Sequence, residues 1–341
     1  MKHLLLQGDT LPGGDDIALP GIQFRYTGFS EDPAAYWQKI ENAGQERENI
    51  LPYILNDNIR EVIKLALLLR RPILIKGEPG SGKTQLAKAL AYQWHKDKSF
   101  GFRTRFFEWN VKSTSKAVDG LYFFDHLARL RDTQSEILTD KERAKEGKNY
   151  RKFGPLAKAL LMSRKEDPAV LLIDEIDKAD IDFPNDLLLE LDENRFYIPE
   201  TDESFSAKSA PLIMITSNEE RELPQAFLRR CLFLYLQFPD TNQLNLIIQN
   251  QLPDLWKDHN GLVARVVEEF KKLQKRLSDD PSVTYRISTS NLIEVLTAIR
   301  DDPERKTADY KPEGFPNYFP VLLKSYAALI TEKKITEKKE N

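Results

Sequence analysis

The sequence predicts an α/β protein: a parallel sheet layered between helices, continued by an all-helical unit. Three observations predict it. Short apolar runs recur at Ile73-Leu74-Ile75, Arg105-Phe106-Phe107-Glu108-Trp109, Val170-Leu171-Leu172-Ile173, Leu212-Ile213-Met214-Ile215 and Leu232-Phe233-Leu234-Tyr235-Leu236, the mark of strands buried on both faces. Helical patterns separate these runs, so the strands are joined by crossovers and run parallel. After Phe238-Pro239-Asp240 the strand signals stop and helical spacing alone continues.

Composition is compatible with this and narrows it. A chain of 341 residues, 41% of them apolar, suits two packed units. The 53 acidic and 50 basic residues leave a formal net charge of −3, so nothing in the overall charge calls for nucleic acid or an anionic membrane. The one cysteine, Cys231, excludes a disulfide within the chain and a cysteine-rich metal site, and fits a reducing compartment. The opening run Leu4-Leu5-Leu6 is far short of a secretory leader. No stretch approaches the roughly 18–20 apolar residues that span a bilayer. The expectation is a soluble cytoplasmic protein with no membrane insertion.

The elements follow in order. Residues 1–35 are rich in turn formers, with Pro12-Gly13-Gly14-Asp15-Asp16 at their centre, and predict an irregular arm. A short polar helix over 36–49 completes this arm, 1–49. Asn56 or Asp57 caps a helix whose buried face is Ile59, Val62, Ile63, Ala66 and Leu67. The first strand follows, then a loop, then a helix from Lys83 to Trp94. Residues 125–152 are highly charged and predict an exposed helical excursion. The sheet domain runs over 50–240. The helical unit, 241–331, carries helices over 241–252, 260–277, 289–300 and 318–331. The charged residues 332–341 form a solvated tail.

The loop after the first strand reads Gly77-Glu78-Pro79-Gly80-Ser81-Gly82-Lys83-Thr84 and fits G-x-x-x-x-G-K-[ST] at every fixed position. Glycines let several backbone N–H groups converge on one phosphate. Lys83 supplies a point charge for β- and γ-phosphates, and the Thr84 hydroxyl is suited to ligating Mg²⁺. The helix that starts there directs its positive end at the same anion. By composition such an octet arises by chance in roughly one chain in a hundred of this length. Here it also stands between a strand and a helix, where the chemistry needs it.

Two carboxylates, Asp174 and Glu175, follow the third apolar run. Alone they read as an ordinary strand end entering a charged cap. Paired with the loop they read otherwise: a neighbouring strand would carry Asp174 beside the phosphate loop to hold the Mg²⁺ shell, and Glu175 would polarise a water. Thr216-Ser217-Asn218 ends the fourth run. Asn218 is either a turn residue or a group that orients the attacking water. Arg229 and Arg230 precede Cys231 with no acidic partner near in sequence. They are either a surface pair bonded to helix carbonyls or cations for developing phosphate charge, supplied to a neighbouring subunit.

This order of motifs, Walker A, Walker B with its following Glu, a sensor-1 Asn and an Arg pair before the fifth strand, resembles the AAA+ ATPases. The segments Gly154-Pro155-Leu156-Ala157-Lys158-Ala159-Leu160, Ile173-Asp174-Glu175-Ile176-Asp177-Lys178-Ala179-Asp180 and Phe227-Leu228-Arg229-Arg230-Cys231 are similar to the MoxR branch. The resemblance covers about residues 50–300. It implies an AAA+ P-loop NTPase fold, a five-stranded αβα core with a helical lid. It also implies ATP and Mg²⁺ as ligands and a homo-oligomer, commonly a hexameric ring. Gly77 to Thr84 and Asp174 would bind nucleotide, with Thr84 and Asp174 at the metal. Glu175 and Asn218 would act in cis, and Arg230, or else Arg229, in trans. The client it implies is a protein with a von Willebrand factor A domain. A hairpin is expected near Val118-Asp119-Gly120-Leu121-Tyr122-Phe123-Phe124, facing either a central pore or the core. A second is expected over Arg195-Phe196-Tyr197-Ile198-Pro199 to Phe205. One departure is that Ile287-Ser288-Thr289-Ser290-Asn291 lacks the sensor-2 Arg, with Arg286 the nearest substitute. Two alternatives remain: a nucleotide-dependent switch with slow hydrolysis, and a GTP-dependent or nucleic-acid motor resembling McrB, which the near-neutral charge disfavours.

Overall fold

The computed structural model describes residues 4–5, 17–19, 22–24, 53–95, 105–134, 147–218, 221–279 and 287–301. The expected helices at 36–49 and 318–331, the tail and Arg286 lie outside them. Packing divides the chain into two units. The described part of the first is Leu55–Gly77 and Lys83–Tyr235 with short segments before Gly28; the second takes Glu78–Gly82 and the chain from Leu236, together with Tyr53.

In the first unit α1 (Asp57–Leu69) starts where Asn56 Oδ1 accepts the Ile59 N–H at 2.8 Å, and it buries Ile59, Ile63 and Ala66. Arg70, in the left-handed region at φ 54°, ends it. Strands β1 (Ile73–Gly77), β2 (Phe106–Asn110), β3 (Val170–Asp174), β4 (Leu212–Thr216) and β5 (Leu232–Leu236) then make one sheet in the order β5-β1-β4-β3-β2. The pairs β1–β4, β4–β3 and β3–β2 are parallel, with Ile215 opposite both Leu74 and Ile173. Helices α2 (Lys83–His95) and α3 (Pro155–Met162) supply buried faces, Leu86, Ala87, Leu90 and Ala91 from one, Leu156, Ala157, Ala159 and Leu160 from the other. Proline at the start of α3 needs no hydrogen-bond donor there.

Two differences from the sequence reading stand out. The arm expected to be irregular contains an antiparallel pair, Ile17–Leu19 with Ile22–Phe24, which flanks the turn-forming dipeptide Pro20-Gly21. The charged region 125–152 is not simply a helical excursion. A helix spans His126–Gln134, but Arg151–Phe153 is a strand that pairs antiparallel with Tyr122–Phe124. Alternation explains it: Tyr122 and Phe124 are buried, while Phe123 between them is 62% exposed.

A second hairpin, Arg195–Ile198 with Glu203–Ser206, occurs where expected. The two hairpins share side chains. Phe153 meets Phe196 and Phe205 edge-on, and Phe196 stacks on Phe205 with centroids 4.9 Å apart. The Tyr122 hydroxyl donates to Glu200 Oε2 at 2.9 Å. Arg151 pairs with Glu203, which also lies 3.6 Å from Lys148 Nζ.

The second unit is helical: α4 (Thr241–Gln251), α5 (Pro253–Asp279) and α6 (Thr289–Asp301). Asp240 caps α4 through a reciprocal pair with Gln243. Leu244, Ile248, Leu255, Val263, Val266, Phe270, Leu292 and Val295 form its core. The helix expected from 260 is present: α5 (Pro253–Asp279) consists of two helical stretches joined at a kink at His259, whose backbone (φ −140°, ψ 36°) is not helical, and the second stretch follows directly after it. Proline is well suited to a first helical turn, so the chain re-enters helix almost at once after α4. Among the described residues no helix is long and apolar enough to cross a membrane.

Candidate active site

The loop Gly77–Thr84 connects β1 to α2. Gly80 and Gly82 lie in the left-handed region, at φ 77° and 89°. Neither has room for a side chain. A Cβ on Gly80 would meet the Ser288 Cβ at 2.1 Å, and one on Gly82 would meet the Tyr53 ring at 3.0 Å. Ser81 N–H donates to the Glu78 carbonyl at 3.2 Å, which closes the turn. Lys83 is buried, and its ammonium donates to the Gly77 carbonyl at 2.7 Å. The cation is thereby held against the loop's own backbone.

Thr84, one residue into α2, faces the end of β3. Its hydroxyl lies 3.0 and 3.1 Å from the two carboxylate oxygens of Asp174. Asp174 does not reach it from a neighbouring strand, as the sequence reading assumed. β4 lies between β1 and β3, and it is α2 that carries Thr84 across.

The intervening strand supplies a residue that sequence reasoning did not single out. Thr216, at the tip of β4 and 1% exposed, donates its hydroxyl to Asp174 Oδ1 at 2.6 Å and accepts the Glu175 N–H at 2.8 Å. One hydroxyl therefore orients both acidic residues. Glu175 itself is held in the left-handed region (φ 59°, ψ 52°), which a non-glycine residue adopts at a cost of order 1 kcal/mol. Its carboxylate accepts from Asn218 Nδ2 at 3.1 Å and from the Lys178 ammonium. The Asn218 N–H donates to Asp177 Oδ2 at 3.0 Å, and Asp177 is buried. Lys83 and Thr84 at the start of α2, Asp174 and Glu175 at the end of β3 and Asn218 just past β4 thus come to one edge of the sheet, with Thr216 among them.

The arginines are placed differently. On this chain neither is a hydrogen-bond partner of the loop or of the acids. They follow a four-residue helix, Gln225–Leu228, anchored by the fully buried Phe227. Arg230 has an acidic partner after all, 38 residues upstream: it pairs with Asp192 and donates to the Ala226 carbonyl at 2.9 Å. Arg229 is exposed. Cys231 beside them is buried, and burial pushes its thiol up to about 12, against a smaller opposing effect of the Arg71 guanidinium.

Residues 73–238 match the model of the ATPase family associated with various cellular activities (AAA). Their five-stranded parallel sheet with flanking helices has the α/β fold of that family. The match covers the whole sheet and every cis residue named above. A solved structure from Cytophaga hutchinsonii, proposed to be an ATPase, is 13% identical over 79% of this chain and 80% of that chain, with a TM-score of 0.38. A search of curated proteins finds no significant match.

The same region brings together an oxygen donor pair of the kind that suits Mg²⁺. A hydroxyl and one carboxylate meet at Thr84 and Asp174, and the carboxylate is fixed from behind by Thr216. Mg²⁺ is held in nucleotide sites by this kind of donor set, few protein oxygens completed by water and phosphate. Among the described residues there is no cluster of three or more His, Cys, Asp or Glu of the kind that would hold a metal without such help.

Proposed function

We propose that the chain hydrolyses ATP with Mg²⁺ as one subunit of a MoxR-type ring, commonly six-membered in such proteins. Hydrolysis would remodel, mature or activate a client protein bearing a von Willebrand factor A domain. One observation supports the enzymatic part: the hydrogen-bonded series Thr84–Asp174–Thr216–Glu175–Asn218, which links a metal-type oxygen pair to the residue read as the general base. The MoxR reading is supported by the two hairpins before β3 and β4 and by the segments that carry the resemblance.

In this reading the N–H groups of Gly77–Thr84 and the Lys83 ammonium bind the triphosphate. Lys83 would exchange the Gly77 carbonyl for phosphate oxygens. Thr84 and Asp174 would hold Mg²⁺, which supplies charge neutralisation at the β- and γ-phosphates. Glu175 takes a proton from water, and Asn218 sets the direction of its carboxylate. The arginines at 229 and 230 lie outside this cluster and are read as serving the next subunit's site. In a head-to-tail ring every site is then completed by a neighbour.

Steady-state turnover of Glu175→Gln tests the proposal. Loss of a general base lowers turnover by about 10²–10⁴-fold, while nucleotide binding is retained because the loop is untouched. Unchanged turnover would sink it. A second reading, a switch with slow hydrolysis, has its own observation: Glu175 is held by both Lys178 and Asn218, a well-satisfied resting carboxylate. Client release with ATP but not with a non-hydrolysable analogue decides for the enzyme, and release with both decides for the switch.

A further inference from the structure

Arg71 stands just before β1, and its guanidinium is committed to the arginine segment. Its Nε donates to the Arg230 carbonyl at 2.9 Å. One Nη2 donates to the Arg229 carbonyl and lies 3.3 Å from the Cys231 carbonyl. Three consecutive carbonyls, two of them belonging to the paired arginines, thus converge on one side chain.

The local chemistry explains why a side chain is needed. The N–H groups of Arg229, Arg230 and Cys231 all point back into the short helix, to Gln225, Phe227 and Leu228. Their carbonyls are left over, in a turn that no regular element holds. Strand pairing with β1 starts only at Leu232, whose N–H donates to the Pro72 carbonyl at 2.8 Å. Proline has no N–H to extend that ladder. The planar fork of Arg71 supplies the missing donors in fixed directions, which the point charge of a lysine does not.

We propose that Arg71 is a positioning residue for the trans arginine: it fixes the backbone that carries Arg229 and Arg230 and so sets where their guanidinium groups reach. This rests on the reading of those arginines as serving a neighbour. The lever is long. A turn of about 15° at an arginine Cα displaces a guanidinium roughly 6 Å away by about 1.5 Å, and misplacement on that scale costs on the order of 10²-fold in rate.

The experiment uses the full chain and mixed subunits. Arg71→Ala lowers kcat at least about tenfold, leaves KM and the affinity for a non-hydrolysable ATP analogue within about twofold, and Arg71→Lys falls between. Mixing supplies the reading that a merely structural role would not move. Arg71→Ala subunits keep an intact cis site, and Glu175→Gln subunits keep an intact arginine segment. In a random mixture about a quarter of the head-to-tail interfaces combine both intact halves, so turnover rises above the sum of the two separate variants. The control mixture replaces Arg71→Ala with Arg229→Ala/Arg230→Ala. Gain in the control with none for Arg71→Ala or Arg71→Lys overturns the positioning role and leaves the trans arginines standing. No gain in the control overturns the trans reading and this inference with it. Loss of analogue affinity in Arg71→Lys equal to its loss of turnover places Arg71 in the cis site and also overturns the proposal. Should Arg71→Ala not fold, as judged by its thermal transition, Arg71→Lys carries every comparison.

Discussion

Thr216 contributes a single oxygen atom, and two carboxylates depend on it. Because its hydroxyl donates to Asp174 and accepts from the Glu175 N–H, replacing it removes one bond and leaves a donor without its partner. Thr216→Val keeps the shape of the side chain. It should cost about 1–3 kcal/mol in a denaturant titration, the penalty for an unsatisfied buried polar group, and should lower ATP turnover more than it raises KM. Cys231 makes the opposite kind of statement. With its thiol pushed up to about 12 by burial, the native protein at pH 8 holds about a thousandfold less thiolate than an ordinary cysteine. Alkylation should therefore be slow until the chain unfolds, and mass spectrometry across a urea series checks it. The sign for stability follows: the raised value favours the fold fully below the unfolded thiol's pKa, and that contribution is lost as pH rises from about 9 to about 12. Sequence made Lys83, Thr84, Asp174, Glu175 and Asn218 visible because each sits at a fixed offset in a motif. It did not make Thr216 or Arg71 visible, because each is placed by hydrogen bonds to residues some 40 or 160 positions away. Asp192 as the partner of Arg230 was hidden for the same reason.

Among the elements, close approach rather than composition decides the local design. The N–H of Gly154 donates to the Leu121 carbonyl at 2.8 Å, and a Cβ at Gly154 would meet the backbone of Asp119 and Gly120 at 2.4–2.5 Å. Two chain segments touch there with nothing between them. Gly154→Ala should destabilise the sheet domain by about 1–3 kcal/mol, the usual range for overpacking, and the midpoint of chemical unfolding measures it. Strands β1, β3 and β4 were legible because a strand buried on both faces is a run of apolar residues that few other elements imitate; β2 and β5, at the two ends of the sheet, are only partly buried and were legible from their aromatic and aliphatic content. The strand Arg151–Phe153 was not, since three residues with two charges show too little alternation to separate from a helix. The helix after His259 was legible from its spacing, whereas the short helical stretch from Pro253 to the kink was not read, because so few residues carry too little periodicity.

For the whole molecule, the alternation of strands and helices implied a parallel sheet but not its order. Pairing partners lie far apart in sequence and no local pattern encodes them, which is why β4 between β1 and β3 was not foreseen. That order puts two strand spacings, about 10 Å, between the tips of β1 and β3, and gives the tip of β4 the middle position. The hairpins that leave the first unit carry a separate consequence. Glu200 and Glu203 at the turn of one bind Tyr122 and Arg151 of the other, and three phenylalanines interlock beneath them. Residues some 75 positions apart thus form one module. In a chimaera with a relative, exchanging either hairpin alone would strand a desolvated Arg151 or a half-buried Glu203 opposite a foreign surface. The two would have to be transplanted together, so the pair is inherited as one unit.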